Sequence, residues 1–337
     1  MEEEKKLYPF RLVPVEDNPD ETYGLADLGF PDSLVRNGYL ATNSLSEIME
    51  MYMDRVVGEG VYSYYGRQFP VLLKTLKGTS RTPLTVHPDD VTAAERFDFL
   101  GKGKLWYVVS CVPGSRLYLG LRNDVASSDF YHACKDGTVE ELLNVVKPQP
   151  GDYYYIAPGT VHAASEGVVI VEIAESSPLD FHIYDWGRKK GEVDPFDAEL
   201  TLEAAFDFID YSAFADRTPH FPEDASGVLK MTDCEEFEVS SVRLASPLHI
   251  TAGQDGSFAV YHCLSGTAVI EVPKDPEGDA RDSESYPVGP GETVLVPAEV
   301  QDFYLVPRAE GTCLLEVVCN RKAEDGQMSA ADGKLLN

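Results

Sequence analysis

The sequence predicts a mainly β protein made of two β-barrels, with a helical insertion in the first barrel and a helix that connects the two. Short apolar runs that end at Pro-Gly turns recur along the chain, a pattern typical of strands. Residues 108–115 resemble residues 260–267, so one barrel is expected to be built twice. Between the copies, apolar residues from 194 to about 211 are spaced for one broad helical face, which predicts the connecting helix.

The first barrel is organised around residues 151–188, which read GDYYYIAPGTVHAASEGVVIVEIAESSPLDFHIYDWGR. An aromatic strand precedes the turn at Pro158-Gly159, and His162 stands where the next strand begins. Small β-barrels point the side chain at such a turn into their mouth. His162 is therefore a candidate metal ligand, although a hairpin histidine without a metal fits the same pattern.

A second candidate lies in the earlier run TPLTVHPDD, residues 82–90. Thr85 and His87 share one face of the predicted strand because side chains alternate with a period of two. Pro88 ends the strand, and the acids after it fit a turn cap better than an acid/base pair. His87 is thus either a second ligand or a hydrogen-bonded histidine at a strand end.

Two further helices are predicted from capping patterns. Ser44 with Glu47 forms a capping box that opens a helix running to about Val57. The stretch from Asp124 to Val146 is predicted to be the helical insertion, with Thr138 as an N-cap and Glu141 completing its capping box.

The composition argues against several classes of partner. A net charge of −29 argues against nucleic acid, because neutralising phosphates needs a basic face. No apolar run reaches the roughly 18 residues of a membrane span, and the N-terminus MEEEKKLYPF lacks the apolar core of a secretory signal. None of the six cysteines forms a C-x-x-C pair. We therefore expect a soluble cytoplasmic protein with no nucleic acid or membrane partner, and the oligomeric state stays open.

The repeat also predicts the domain boundaries. Pro290-Gly291-Glu292 and Pro297-Ala298-Glu299-Val300-Gln301 correspond to the two turns of the first copy, but Gln301 replaces His162. The second barrel is therefore expected to keep the scaffold without the ligands. We expect an N-terminal domain with the site at 1–190, a helical connection at 191–229, a ligand-free domain at 230–321 and a polar tail at 322–337.

Five ordered motifs resemble the class I mannose-6-phosphate isomerases of the short bacterial type, across nearly the whole chain. The resemblance implies two cupin (jelly-roll) barrels and an aldose–ketose isomerase acting on a sugar phosphate. It also implies zinc, held by a Gln and a His on one strand, a Glu shortly after, and the His of the second turn. The motifs are GRQFPVLLK (66–74), VHPDD (86–90), GK followed by WYV (101–108), PGTVHA (158–163) and YDWGR (184–188).

Mapped onto this chain, the resemblance keeps both histidines as metal ligands, His87 and His162, but changes other positions. Thr85 stands at the Gln position, Lys104 at the Glu position, and His182 at that of an Arg thought to act near the reacting carbons. Because a cation replaces a carboxylate ligand, we expect zinc to bind weakly or not at all.

The Lys of the family's GK motif is present here as Lys102, and the resemblance implies that Arg188 is the substrate-binding candidate. Lys102, Lys104 and His182 are the catalytic candidates, since lysine and histidine can supply protons and positive charge without a metal. Glu172 or Glu175 is a further candidate to replace the missing carboxylate.

Three functions remain open at this point. In the first case the chain isomerises mannose 6-phosphate, with a weakly bound metal or with Lys104 as a cationic substitute for it. Alternatively, it is a non-catalytic relative that binds a sugar phosphate or a regulatory partner. In the third case it is an isomerase or epimerase acting on a different sugar, which the loss of the Arg at position 182 would fit.

Overall fold

The computed structural model describes residues 5–187, 202–215, 221–222, 225–251, 256–274, 282–319 and 321. Twenty-two strands and six short α-helices are found within these ranges, so the prediction of a mainly β protein is confirmed. Every strand pairing whose register is described is antiparallel, as expected for strands joined by tight turns. No helix within these ranges has the length and apolar composition that a membrane span requires.

The N-terminal part of the chain combines short strands with three helices. Its elements are β1 Phe10–Val13, β2 Val15–Asn18, β3 Glu21–Leu25, β4 Leu34–Val35, α1 Leu45–Tyr52, α2 Asp54–Val57, α3 Glu59–Tyr65 and β5 Val71–Leu76.

The central part carries the predicted site motifs. Its elements are β6 Leu84–Val86, α4 Asp90–Phe97, β7 Lys104–Cys111, β8 Leu117–Leu121, α5 Ser127–Asp136, β9 Leu143–Val146, β10 Tyr153–Ile156, β11 His162–Ala164, β12 Val168–Glu175, β13 Phe181–Tyr184 and α6 Leu202–Ala205.

The C-terminal part contains strands alone within the described residues. They are β14 Gly227–Asp233, β15 Glu238–Leu244, β16 Leu248–Thr251, β17 Ala259–Ser265, β18 Ala268–Pro273, β19 Ser283–Val288, β20 Thr293–Val296, β21 Asp302–Pro307 and β22 Thr312–Val318.

The chain divides into two compact units that differ from the predicted domains in the placement of the N-terminal residues. One unit contains residues 1–17, 22–74 and 221–337, and the other contains 18–21 and 75–220. The early residues group with the C-terminal part because β1 pairs with β20, Phe10 opposite Leu295. Backbone pairing between segments so distant in the chain leaves no local trace in the sequence.

In the discontinuous unit, seven strands form one sheet in the order β14-β15-β22-β17-β20-β1-β4, and four form another in the order β16-β21-β18-β19. Its buried side chains include Phe10, Val260, Leu295 and Leu314. The predicted repeat segment at 260–267 begins on β17 and continues into the following turn, as its counterpart at 108–115 does on β7.

The unit of residues 75–220 contains the sheet β13-β6-β11-β8-β9 and the adjacent strands β10-β7-β12. Alternate residues of the five-stranded sheet, among them Leu84, Val86 and Phe181, pack into an apolar core with α5 and α6. The intervening residues therefore face the other side of the sheet, where the candidate site residues lie.

The helix predicted to run from Ser44 to about Val57 begins as expected but is interrupted before its end. The capping box at Ser44 is confirmed, because its hydroxyl accepts from the Glu47 amide and Glu47 accepts from the Ser44 amide. The helix that was expected to continue to Val57 breaks at Met53, whose φ is +49°. A non-glycine residue in this region interrupts regular helix geometry, so α1 and α2 are separate.

The helical insertion is shorter than predicted, and the predicted cap at Thr138 is wrong. Helix α5 ends at Asp136, and Thr138 makes no side-chain cap to the short 3₁₀ turn that follows it. Residues 143–146 form β9, because Leu143 and Val146 bury their side chains while the backbone pairs with β8. Of the predicted connecting helix at 194–211, residues 194–201 lie outside the described residues, and α6 is the helical part within them.

Candidate active site

The histidines of the candidate site are brought together by pairing around the short strand β6. Thr85 lies opposite both His162 on β11 and His182 on β13. Residues directly opposite in antiparallel strands project from the same face of the sheet. His87 follows Thr85 by two residues and projects from that face as well. Four positions marked by the sequence motifs therefore share one side of the five-stranded sheet.

Strands β7 and β12 contribute Lys104, Trp106 and Glu172 to the site. On β7, Lys104 and Trp106 are separated by the strand period, and Trp106 lies opposite Glu172 on β12. All three side chains are buried, with Lys104 and Glu172 exposing 4% and 3% of their side-chain surfaces. Burying charges of this kind is tolerated when they are paired and hydrogen-bonded.

The turn before β11 holds both histidine segments in place. The Gly159 amide donates to the carbonyl of His87 at 2.8 Å, and the ring Nδ1 of His162 donates to the carbonyl of Thr160 at 2.8 Å. Gly159 has a φ of +83°, and a Cβ at this position would lie 2.8 Å from the carbonyl oxygen of Phe208. Glycine is therefore required both by the left-handed backbone and by the close approach of another chain segment.

The rings of His87 and His162 lie side by side, with their centroids 4.8 Å apart. Nε2 of His87 is 2.5 Å from Oδ1 of Asp180, and Nζ of Lys102 is 3.3 Å from Oδ2 of the same carboxylate. An ionised carboxylate only accepts hydrogen bonds, so Nε2 of His87 carries the donated proton. Asp180 thus joins a histidine and a lysine from different elements.

Lys104 lies between two carboxylates. Its Nζ is 3.3 Å from Oε1 of Glu172 and 3.5 Å from Oδ1 of Asp180. The indole Nε1 of Trp106 donates to Glu172 Oε2 at 2.6 Å, which supplies that carboxylate with a second donor. The candidate active site, defined here as His87, Lys102, Lys104, Trp106, His162, Glu172 and Asp180, is therefore a network of paired charges around the two imidazoles.

Both imidazoles are neutral at neutral pH. Burial first, and then the nearby Lys104 ammonium, lower the pKa of His162 to about 3. The same two causes, burial first and Lys104 second, hold the pKa of His87 well below its ordinary value. Neither ring is therefore a strong base at pH 7.

Asp180 is ionised, and it is the member of the site that reaches solvent. Burial opposes its ionisation, but the ammonium groups of Lys102 and Lys104 and the hydrogen bond from His87 hold its pKa well below the usual range. Its side chain is 31% exposed, whereas that of Lys102 is 3% exposed. A solute approaching the site would meet the Asp180 carboxylate before the buried lysines.

The donor atoms of the site do not fit zinc. Nε2 of His87 is protonated toward Asp180. Thr85, at the position of a family ligand, has a neutral hydroxyl, which is not among the usual zinc ligands. A zinc ligand must offer a lone pair, and catalytic zinc usually has three such protein ligands. Among the described residues, no group of three His, Cys, Asp or Glu side chains has the arrangement of a metal site.

The charge of Lys104 also opposes a metal ion. An ion of charge +2 about 4 Å from an ammonium group would be repelled by on the order of 8 kcal/mol at an effective dielectric constant near 20. The carboxylates that could offset this repulsion, Glu172 and Asp180, are each already in contact with Lys104.

The structure brings together four of the six residues that the sequence singled out. His87, His162, Lys102 and Lys104 lie in one cluster. His182 is half-buried on the same face of the sheet, opposite Thr85. Arg188 lies outside the described residues.

Sequence reasoning missed Asp180 and left Glu172 undecided. Asp180 precedes His182 by two residues, so the period of β13 was a signal that both share a face. Of the two acids on β12 that were considered, Glu172 contacts Lys104, whereas Glu175 accepts from the amide of Gly103 at 3.2 Å.

Several curated proteins are similar to this chain over most of its length. A probable mannose-6-phosphate isomerase GmuF of Bacillus subtilis (strain 168) is 31% identical over 286 residues, covering 83% of this chain and 83% of the relative. The mannose-6-phosphate isomerase ManA of the same organism is 28% identical over 282 residues, covering 82% and 83%. No family model matches the chain.

Solved structures share the fold. The mannose 6-phosphate isomerase from Bacillus subtilis matches with a TM-score of 0.76 and 24% identity, covering 92% of this chain and 98% of that one. A putative mannosephosphate isomerase from Archaeoglobus fulgidus matches with a TM-score of 0.70 and 19% identity, covering 92% and 97%. The expectation of a cupin fold is confirmed by these matches.

Proposed function

Because this chain belongs to the mannose-6-phosphate isomerase family, we propose that it catalyses the aldose–ketose isomerisation of a phosphorylated hexose, with mannose 6-phosphate as the first candidate substrate. The observation that carries the proposal is the candidate active site itself. Two ammonium groups lie next to two imidazoles and a solvent-reaching carboxylate. Such clusters of charged residues with perturbed pKa values are typical of catalytic sites.

The reaction moves a proton between C2 and C1 of the sugar. A base removes the C2 proton, the electron pair forms a C1=C2 double bond, and negative charge develops on the C1 oxygen. Return of a proton to C1, protonation of the C1 oxygen and loss of the proton on the C2 oxygen give the ketose. The chemistry therefore needs one group that exchanges protons near neutral pH and positive charge beside the developing oxyanion.

We assign to Lys102 and Lys104 the positive charge beside the developing oxyanion. Both ammonium groups contact Asp180, the member of the site that reaches solvent. A sugar oxygen bound beside this carboxylate would lie near both cations. Because the lysines are buried, their charges act on a bound oxyanion with less screening by water than surface charges would.

His182 is assigned the proton transfer. His87 and His162 are weak bases because burial and Lys104 lower their pKa values. His182 lies on the same face of the sheet and is half-buried, so it is accessible to a solute. Asp180 is a positioning residue in this scheme, because it holds Lys102 and His87 rather than the reacting atoms. The role of Arg188 in substrate binding stays a prediction.

The experiment is conversion of mannose 6-phosphate to fructose 6-phosphate by purified protein, measured with and without added zinc. We expect turnover in both conditions. His182→Asn should lower kcat by about a hundredfold or more, the usual contribution of a general base. His132→Asn is the matched control, because His132 is exposed and on α5. Absence of turnover in both conditions would end the proposal, and equal activity of the His182→Asn variant would remove that residue's role.

A second function is favoured by the pairing of the lysines. Lys102 contacts Asp180, and Lys104 contacts Glu172 and Asp180, so both cations already have partners within the protein. A non-catalytic relative that binds a sugar phosphate or a regulatory partner would show this arrangement. Its sign is a rise in the melting temperature with mannose 6-phosphate in the absence of turnover.

A third function is isomerisation or epimerisation of a different sugar. It is favoured by His182, which stands where the family resemblance places an Arg and would change contacts near the reacting carbons. A panel of phosphorylated and free sugars separates this function from the second. Turnover of a sugar other than mannose 6-phosphate supports the third function, and stabilisation without turnover supports the second.

A further inference from the structure

We propose that the Lys104 ammonium takes the place of a zinc ion in the candidate active site and prevents zinc from binding there. The proposal concerns metal content, and its test does not require that the protein turn over any sugar. It goes beyond the proposed isomerisation, which could proceed with or without a metal.

The ammonium group of Lys104 is buried between two carboxylates. Nζ of Lys104 lies 3.3 Å from Glu172 and 3.5 Å from Asp180, and the lysine side chain is 4% exposed. The two carboxylates therefore approach one cation from different elements, β12 and the segment before β13. The ammonium group therefore supplies, beside the two imidazoles, the positive charge that a metal ion would otherwise supply.

Hydrogen bonds within the protein already engage the atoms around Lys104 that could otherwise bind a metal. Glu172 accepts from the Trp106 indole at 2.6 Å, and Asp180 accepts from the His87 ring at 2.5 Å. His162 donates through Nδ1 to the Thr160 carbonyl, which leaves Nε2 as its single lone pair. A metal entering this network would have to displace the ammonium group and break the bond between His87 and Asp180.

One substitution should make the site favour a zinc ion over the ammonium group. Lys104→Glu removes the cation and adds a carboxylate close to His87, His162, Glu172 and Asp180. That variant would have three neighbouring carboxylates, whose mutual repulsion a divalent cation relieves. We therefore expect Lys104→Glu to bind zinc and to be less stable than the wild type when zinc is withheld.

The test begins with the wild-type protein, expressed with zinc in the medium and dialysed against metal-free buffer. Metal analysis should find far less than one zinc per chain, and neither zinc chloride nor EDTA should change the melting temperature. A content near one zinc per chain, or a lower melting temperature in EDTA, would overturn the proposal. This measurement decides the matter even if the variant does not fold.

The variant then tests the cause. Lys104→Glu should take up about one zinc per chain and melt at a higher temperature with zinc than without it. Adding His162→Asn to this variant should abolish the uptake. Lys147→Glu is the matched control, because it makes the same change of charge at an exposed position and should bind no zinc. A folded Lys104→Glu protein that takes up no zinc would contradict the proposal.

The failure of this proposal is distinguishable from the failure of the proposed function. A metal-free protein without isomerase activity leaves the metal proposal standing and removes the function. Turnover of mannose 6-phosphate that depends on zinc removes the metal proposal and leaves the function.

Discussion

Nε2 of His87 donates a hydrogen bond to Oδ1 of Asp180 at 2.5 Å, although the two residues are 93 positions apart in the chain. The contact follows from the register of two strands. Phe181 lies opposite Val86 in antiparallel strands. The residue before Phe181, Asp180, therefore lies opposite the residue after Val86, His87. This pair connects the motif on β6 with an acid that none of the recognised motifs contains.

The first prediction concerns the carboxylate of this pair. Asp180→Asn removes the charge that Lys102 and Lys104 contact and leaves two buried ammonium groups with less compensation. We expect a loss of about 1–2 kcal/mol in the free energy of unfolding, less than for a fully buried pair because Asp180 is 31% exposed. Urea denaturation measures it. Asp136→Asn at the exposed end of α5 is the control and should change stability by less than about 0.5 kcal/mol.

The second prediction concerns pH. The pKa of His162 is lowered to about 3 in the folded protein, below the value of about 6.5 expected in the unfolded chain. Between these values the unfolded state binds more protons, so acidification favours unfolding. His162 should therefore cost about 1.4 kcal/mol of stability on going from pH 7.5 to pH 5.5, and most of this loss falls below the unfolded pKa of about 6.5.

The measurement is urea denaturation at both pH values for the wild type and for His162→Asn. The variant should lose about 1.4 kcal/mol less than the wild type over this interval. His132→Asn, at an exposed position, should behave like the wild type. An equal pH dependence of the wild type and His162→Asn would contradict the lowered pKa.

The third prediction concerns the turn that precedes β11. Gly159→Ala places a Cβ 2.8 Å from the Phe208 carbonyl oxygen at a φ of +83°. Gly151→Ala is a matched control, because Gly151 has a φ of +92° but no atom within 4 Å of the added Cβ. Both variants should lose about 1 kcal/mol from backbone strain. Gly159→Ala should lose at least about 1 kcal/mol more from the close contact, and equal losses by thermal or urea denaturation would show that the contact is relieved without cost.

The fourth prediction concerns the hydrogen bond from Trp106 to Glu172, 2.6 Å long and buried. Trp106→Phe leaves one carboxylate oxygen without its indole donor and should destabilise the protein by about 1–3 kcal/mol. In a double-mutant cycle with Glu172→Gln, the loss of stability in the double variant should differ from the sum of the two single losses by about 1 kcal/mol or more. Additive losses would mean that the two side chains do not stabilise each other.

Local patterns were enough to predict much of the scaffold. The capping box at Ser44 was predicted because its hydrogen bonds join residues three apart, and the positions of His87 and His162 were predicted because the strand period and the Pro-Gly turn are local properties. The helix expected across Thr138 was wrong because pairing with β8 outweighed local helix signals over residues 143–146.

The sequence by itself determined the mainly β class, the family, and a lysine at position 104 where the resemblance has an acid. Only the tertiary structure decided that Asp180 and Glu172 are the carboxylates that meet this lysine, and that residues 1–17 group with the C-terminal sheets. The physical reason is the same for both. Strand register and sheet order bring together residues that are far apart in the chain, and the energies that select them depend on distances that no local pattern records.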